Sequence, residues 1–108
     1  MNRLQALFRG VQPTSISIRR ARTCDHVKLI QDVTPSGEGC KECLEMGDTW
    51  VHLRLCLICG HVGCCDQSKN KHATKHFHAT GHPIIESFEP GEDWRWCYVD
   101  ELLLTGDS

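Results

Sequence analysis

A chain of 108 residues has room for one domain and buries only a modest share of its surface, so its core needs reinforcement. Seven aromatic residues give it little bulk, whereas eight cysteines and seven histidines exceed ordinary usage and point to metal or disulfides. Its net charge of −2 is uneven: residues 1–23 carry five arginines and no acid, which leaves −7 on residues 24–108 and argues against a nucleic-acid backbone as partner.

Residues 1–23 form a basic N-terminal arm, expected to be a frayed and flexible tail. Leu4, Leu7, Phe8 and Val11 stand at helical spacing until Pro13 ends the pattern. The first twenty residues hold no uninterrupted apolar stretch of the kind that directs export, and no run approaches the length of a membrane span. The expected location is therefore the cytoplasm. There, cysteines in C-x-x-C pairs with histidines nearby are more often zinc ligands than disulfides.

Residues 24–108 read as one domain in which strand-like runs alternate with ligand-bearing turns. Trp50–Leu55, Cys56–Gly60, Ile84–Phe88 and Arg95–Val99 are expected as strands of one small sheet. Between them Ser68 is placed to cap a helix running to about Thr80, which Gly81 and Pro83 stop. The expected fold class is α+β: a small zinc-stabilised domain with a twisted antiparallel sheet and one main helix carrying histidine ligands.

Eleven residues are candidate ligands by type and grouping: Cys24, His26, Cys40, Cys43, Cys56, Cys59, Cys64, His72, His76, His82 and Cys97. Each C-x-x-C pair, Cys40/Cys43 and Cys56/Cys59, lets one turn present two thiolates to a tetrahedral ion. Each pair needs two further ligands, and Cys64, His72, His76 and His82 supply four, so two zinc sites follow by counting. Spacing leaves the division open. His72 and His76 lie at i and i+4 and can share an ion, and a four-cysteine site beside a Cys-His-His-His site fits equally well.

The string C-x-x-C, Trp50, C-x-x-C-G, Cys64, His72, His76, Gly81-His82-Pro83 and Trp96-Cys97-Tyr98 resembles the UBP-type zinc finger, from about Cys24 to Leu103. The segment His82–Trp94 is similar to stand-alone bacterial members of that family. The resemblance implies an interleaved arrangement, with Cys40, Cys43, Cys64 and His72 on one zinc and Cys56, Cys59, His76 and His82 on another. It also implies a third site, made by Cys24, His26 and Cys97. Asp100 stands there in place of the family's last cysteine, and a carboxylate oxygen is an acceptable zinc ligand. Two or three Zn²⁺ ions are thus the expected cofactor.

His52, His61 and His78 have no counterpart in that pattern and read as surface or outer imidazoles, Cys65 as a spectator thiol, and Trp94 and the Leu102–Leu104 run as core. The helix reads His72-Ala73-Thr74-Lys75-His76, without the glutamate of a hydrolytic H-E-x-x-H site, so no enzymatic activity is expected. Family members capture the free C-terminal tail of ubiquitin between aromatic side chains and an arginine. The resemblance carries over Trp50, Trp96 and Tyr98 as ligand-binding residues, but not the arginine: Cys65-Asp66 stands where the family has Gly-Arg, and Leu103 where it can carry a tyrosine. Arg54, Arg95, Lys69 and Lys71 are the candidate substitutes. The expected partner is a protein or peptide C-terminal tail, ubiquitin-like in kind, with ubiquitin itself bound weakly or not at all. The alternative is a redox- or zinc-responsive protein that uses Cys65 and the zinc thiolates.

Overall fold

The computed structural model describes residues 19–21 and 23–104; the apolar spacing at Leu4–Val11 lies outside them. Six strands form one sheet: β1 (Arg19–Ala21), β2 (Leu53–Cys56), β3 (Val62–Cys64), β4 (Ile84–Ser87), β5 (Arg95–Cys97) and β6 (Leu102–Leu104). Their order across the sheet is β1-β6-β5-β4-β2-β3. Every pairing is antiparallel except β1 with β6, where Arg19 lies beside Leu102 and Ala21 beside Leu104. β1 belongs to the stretch expected as a flexible arm, so that expectation is corrected for Arg19–Ala21: pairing with β6 draws them into the sheet, and nearly the whole domain serves as the crossover that a parallel pair requires. Two helices, α1 (Lys41–Met46) and α2 (His72–Thr80), and a 3₁₀ turn (Asp25–Leu29) complete the α+β domain.

Strand alternation separates two faces. One carries Leu53, Leu55, Ile84, Cys97 and Leu104, all buried, into a core where Val27, Ile30, Val33 and Phe88 pack against them. The other carries Arg54 on β2 and a row of cross-strand neighbours, Ile85, Trp96 and Leu103, on β4, β5 and β6. α2 meets the sheet at Gly63 of β3. A Cβ there would stand 2.7 Å from the Ala73 backbone nitrogen, so the absent side chain sets how closely helix and strand approach.

Several local expectations are corrected. Cys56–Gly60 is not a strand, because β2 ends at Cys56 and Leu57–Cys59 form a turn closed by the Gly60 N–H donating to the Cys56 carbonyl at 2.9 Å. A C-x-x-C segment has to fold back on itself to aim both sulfurs at one point. Gly60 does so at φ +90, with the Thr34 carbonyl where a side chain would begin. Ser68 does not cap α2, which starts at His72 after Lys71 at φ 51. Ser68 is buried and its hydroxyl accepts the Val51 N–H at 2.8 Å, since the chain needs residues 66–71 to wind from β3 to the helix. The C-terminal end of α2 is as expected, with Gly81 left-handed at φ 79 and its N–H donating to the Phe77 carbonyl. Leu102–Leu104 is both core and strand: Leu104 is buried and the segment is β6.

Candidate metal centres and an aromatic cavity

Three groups of four side chains converge, each with ligand atoms all within 4.8 Å of one another: Cys40, Cys43, Cys64 and His72; Cys56, Cys59, His76 and His82; Cys24, His26, Cys97 and Asp100. The elements explain the convergence. Cys40 and Cys43 bracket the start of α1, Cys64 ends β3, and His72 opens α2, so the first group sits where two helices meet the sheet edge. One turn further along α2, His76 joins the turn after β2, while His82 follows the helix end. The third group joins the 3₁₀ turn to the end of β5.

The donor geometry fits zinc. A tetrahedral ion with Zn–S near 2.3 Å and Zn–N near 2.0 Å sets its donors about 3.3–3.8 Å apart. In the first group Cys43 Sγ lies 3.9 Å from Cys64 Sγ, and His72 Nδ1 lies 3.2, 3.4 and 3.6 Å from the Cys40, Cys43 and Cys64 sulfurs. In the second, His76 Nε2 is 3.3 Å from both Cys59 Sγ and His82 Nδ1, and His82 Nδ1 is 3.6 Å from Cys56 Sγ. In the third, His26 Nδ1 is 3.0 Å from Asp100 Oδ2 and 3.5 Å from Cys97 Sγ. All eight cysteines are free of disulfides, leaving every thiol available as a thiolate donor.

Surrounding groups prepare the donors. The His72 N–H donates to Cys64 Sγ at 3.2 Å, and the Asp100 N–H to Cys97 Sγ at 3.4 Å. Asn70 donates to Cys43 Sγ while also holding Asp48. Burial pushes the Cys40 thiol up to about 12 and the Cys97 thiol up to about 11, so without a cation these groups keep their protons and zinc binding must release them. Burial, with His61 and His82 nearby, lowers His76 to about 4 and keeps it in the neutral, ligating form near pH 7. The groups differ in access: Cys40, Cys43 and Cys64 are all buried, whereas Cys59 of the second group is exposed.

Lined by none of these twelve donors, a cavity of about 350 Å³ lies on the sheet face opposite the core. Ile85, Trp96 and Leu103 supply its floor, and Arg54, Trp94, Tyr98, Cys65 and Asp66 its walls. The Arg54 guanidinium lies over the Trp94 ring, 4.6 Å from its centroid. Arg95, the other arginine considered, is engaged by Glu86 at 2.9 Å. Tyr98 stacks on Phe77 and its hydroxyl lies 3.1 Å from the Thr74 hydroxyl, which donates to Asp66 at 2.6 Å. Burial, with the Asp66 charge adding to it and the Thr74 hydrogen bond opposing it, raises Tyr98 to about 12, so the phenol is neutral.

Trp96 and Tyr98 thus reach one cavity, but Trp50 does not line it. Trp50 precedes β2, and its ring lies against Gly39, where a Cβ would come within 2.8 Å of it. Trp94, read from sequence as core, takes a place in the wall. The signal was present: Trp94, Trp96 and Tyr98 alternate at i, i+2 and i+4, the spacing that puts three side chains on one side of a strand. Cys65 is buried in the same wall. Desolvation raises its thiol, but hydrogen bonding from Ser68 and nearby backbone outweighs this, leaving it below the usual value. His52 and His78 are exposed, whereas the His61 side chain is only 10% exposed and stacks on His76.

Comparison with known proteins gives a concordant picture. Residues 40–107 match the family model described as "Zn-finger in ubiquitin-hydrolases and other protein". The chain is 39% identical over 85 residues to human BRCA1-associated protein, covering 75% of this chain and 14% of that one. It is 33% identical over 91 residues to ubiquitin carboxyl-terminal hydrolase 44 of Ailuropoda melanoleuca, covering 79% of this chain and 12% of the relative. It thus spans about one seventh or less of the length of these curated relatives. Among solved structures, the solution NMR structure of protein RPA1320 from Rhodopseudomonas palustris is 64% identical, with a TM-score of 0.72 over 77% of this chain and 81% of that one.

Proposed function

The chain belongs to the family of zinc fingers found in ubiquitin hydrolases and other proteins, a zinc-binding family, and on that premise we propose that it is a non-catalytic interaction module that holds the C-terminal tail of a partner protein. The three groups of donors are its zinc ligands: Cys40, Cys43, Cys64 and His72; Cys56, Cys59, His76 and His82; Cys24, His26, Cys97 and Asp100. Four protein donors per ion leave no coordination position for a substrate, which is the mark of a structural site. The zinc ions fasten α1, α2 and the turn after β2 to the sheet, and the binding surface lies elsewhere.

One observation carries the ligand reading: the Arg54 guanidinium, over the Trp94 ring, lines the same cavity as Trp96 and Tyr98. Arg54 Nη1 donates to the Leu53 carbonyl at 2.9 Å, and the other guanidinium N–H groups can receive a terminal carboxylate. The aromatic walls favour a slim, extended tail over a bulky one. Asp66 sits in the same cavity and repels a carboxylate placed beside it, but it accepts a tail N–H. This pairing of charges supports a tail that runs from Arg54 towards Asp66; because Cys65-Asp66 stands where the family has Gly-Arg, ubiquitin itself is expected to bind weakly. Proximity of so many thiolates to metal suits a reducing compartment, so we place the protein in the cytoplasm. The redox-responsive alternative is disfavoured by the 4% exposure of Cys65.

Titration of labelled protein with ubiquitin and with a panel of C-terminal peptides, followed by NMR of the tryptophan indoles, tests the reading. The expected result is movement of the Trp94 and Trp96 indoles with Trp50 nearly still, and loss of that response in Arg54→Gln. Indoles unmoved by every peptide, or an unchanged response in Arg54→Gln, would refute it.

A further inference from the structure

His61 joins the first two donor groups, although it belongs to neither. Its Nε2 donates to the Glu42 carboxylate, lying 2.9 and 2.8 Å from the two oxygens. Glu42 is on α1, between Cys40 and Cys43 of the first group. The face of the His61 ring meets the second group: His61 and His76 stack with centroids 4.1 Å apart and planes 8° from parallel. The His61 backbone takes part as well, its carbonyl accepting the Cys56 N–H at 2.8 Å. The side chain is 10% exposed, wedged under α2 where a Gly63 side chain would strike it.

We propose that Glu42 and His61 are positioning residues that couple the two zinc sites, so that filling the Cys40/Cys43/Cys64/His72 site raises the zinc affinity of the Cys56/Cys59/His76/His82 site. Zinc at the first site fixes α1 and hence Glu42. Glu42 then fixes the plane of His61 through both carboxylate oxygens. The stacked His61 ring confines His76 to an orientation that directs Nε2 at Cys59 and His82. A histidine ligand that is already oriented loses less freedom on binding metal, and outer partners of this kind typically set affinity by about 10–100-fold. Linkage makes the effect reciprocal, so the second site also strengthens the first.

This inference rests on the assignment of His76 as a ligand of the second site. The experiment uses the full chain and reads each site separately by cadmium NMR, which distinguishes an S₃N from an S₂N₂ donor set, together with competition by a zinc chelator. His61→Phe keeps a ring for stacking but has no N–H for Glu42; Glu42→Gln keeps the shape and loses the charge. Each is expected to weaken the second site about tenfold, and the double variant by no more than either alone. Emptying the first site with Cys40→Ser should weaken the second about tenfold in the wild type and leave it nearly unchanged in Glu42→Gln. Second-site affinity within about twofold of wild type in both single variants, or losses that multiply in the double variant, would overturn the coupling. His76→Ala separates the two claims: if it keeps full zinc, the ligand assignment falls and the coupling with it, whereas loss of zinc there beside unaffected His61→Phe and Glu42→Gln overturns the coupling alone.

Discussion

Gly63→Ala tests whether the contact between α2 and β3 controls the metal centres. The new Cβ would lie 2.7 Å from the Ala73 nitrogen, 3.0 Å from the Ala73 Cα and 2.8 Å from His61 Cε1. Two of these neighbours are helix backbone, which cannot rotate away, so reaching an ordinary contact distance near 3.4 Å requires α2 to retreat by about 0.7 Å. Overpacking of this kind typically costs about 1–3 kcal/mol, equivalent to a fall in Tm of roughly 5–20 °C in a domain of this size. The same retreat moves His72 and His76 together, and it exceeds the roughly 0.2 Å tolerance of a zinc–ligand distance. Thermal unfolding and zinc content should therefore fall together, whereas Gly37→Ala, with nothing within 4 Å, should leave both unchanged. A Gly63→Ala protein with wild-type Tm and full zinc would refute the argument.

Asp100→Ala should lower the zinc content by about one ion while Asp100→Cys retains it, because the carboxylate lies among the Cys24, His26 and Cys97 donors; elemental analysis of both variants decides, and full zinc in both removes Asp100 from the ligand set. The single tyrosine gives a direct pH prediction, since near-ultraviolet phenolate absorbance reports Tyr98 alone. Its folded value of about 12 exceeds the ordinary 10.0, so the unfolded state ionises first: the contribution of Tyr98 to stability is constant below about pH 10 and is lost as pH rises towards 12. A phenolate titration centred near 10 in the folded protein would contradict the buried setting described for it.

The metal chemistry was legible in the sequence because it is local. A C-x-x-C turn declares two donors whatever surrounds it, and the i, i+4 spacing of His72 and His76 requires only that the segment be helical. The division of donors between sites was not legible from spacing, since it depends on how β3 and α2 cross. α1 was missed because six residues give too little periodicity to read, and the segment is anchored by Cys40 at its start, Cys43 within it and contact with β3. The cavity was half legible. Trp96 and Tyr98 lie on it, but Trp50 turns to Gly39 and Trp94 lines the cavity beside Arg54. The position of Ser68 shows the same limit: a good capping residue was claimed instead by the Val51 N–H.

The parallel pairing of β1 with β6 has a mechanical consequence. Arg19 stands beside Leu102 and Ala21 beside Leu104, so the chain enters at one end of this pair and leaves at the other. Tension applied between Arg19 and Leu104 pulls the two strands past each other along their length, loading their hydrogen bonds together in shear. An antiparallel pair at the same edge would be peeled open one bond at a time. A tether attached at both ends of the domain therefore pulls against its most force-resistant arrangement, while the zinc-held helices on the far side of the sheet, beside β3, stay outside the line of force.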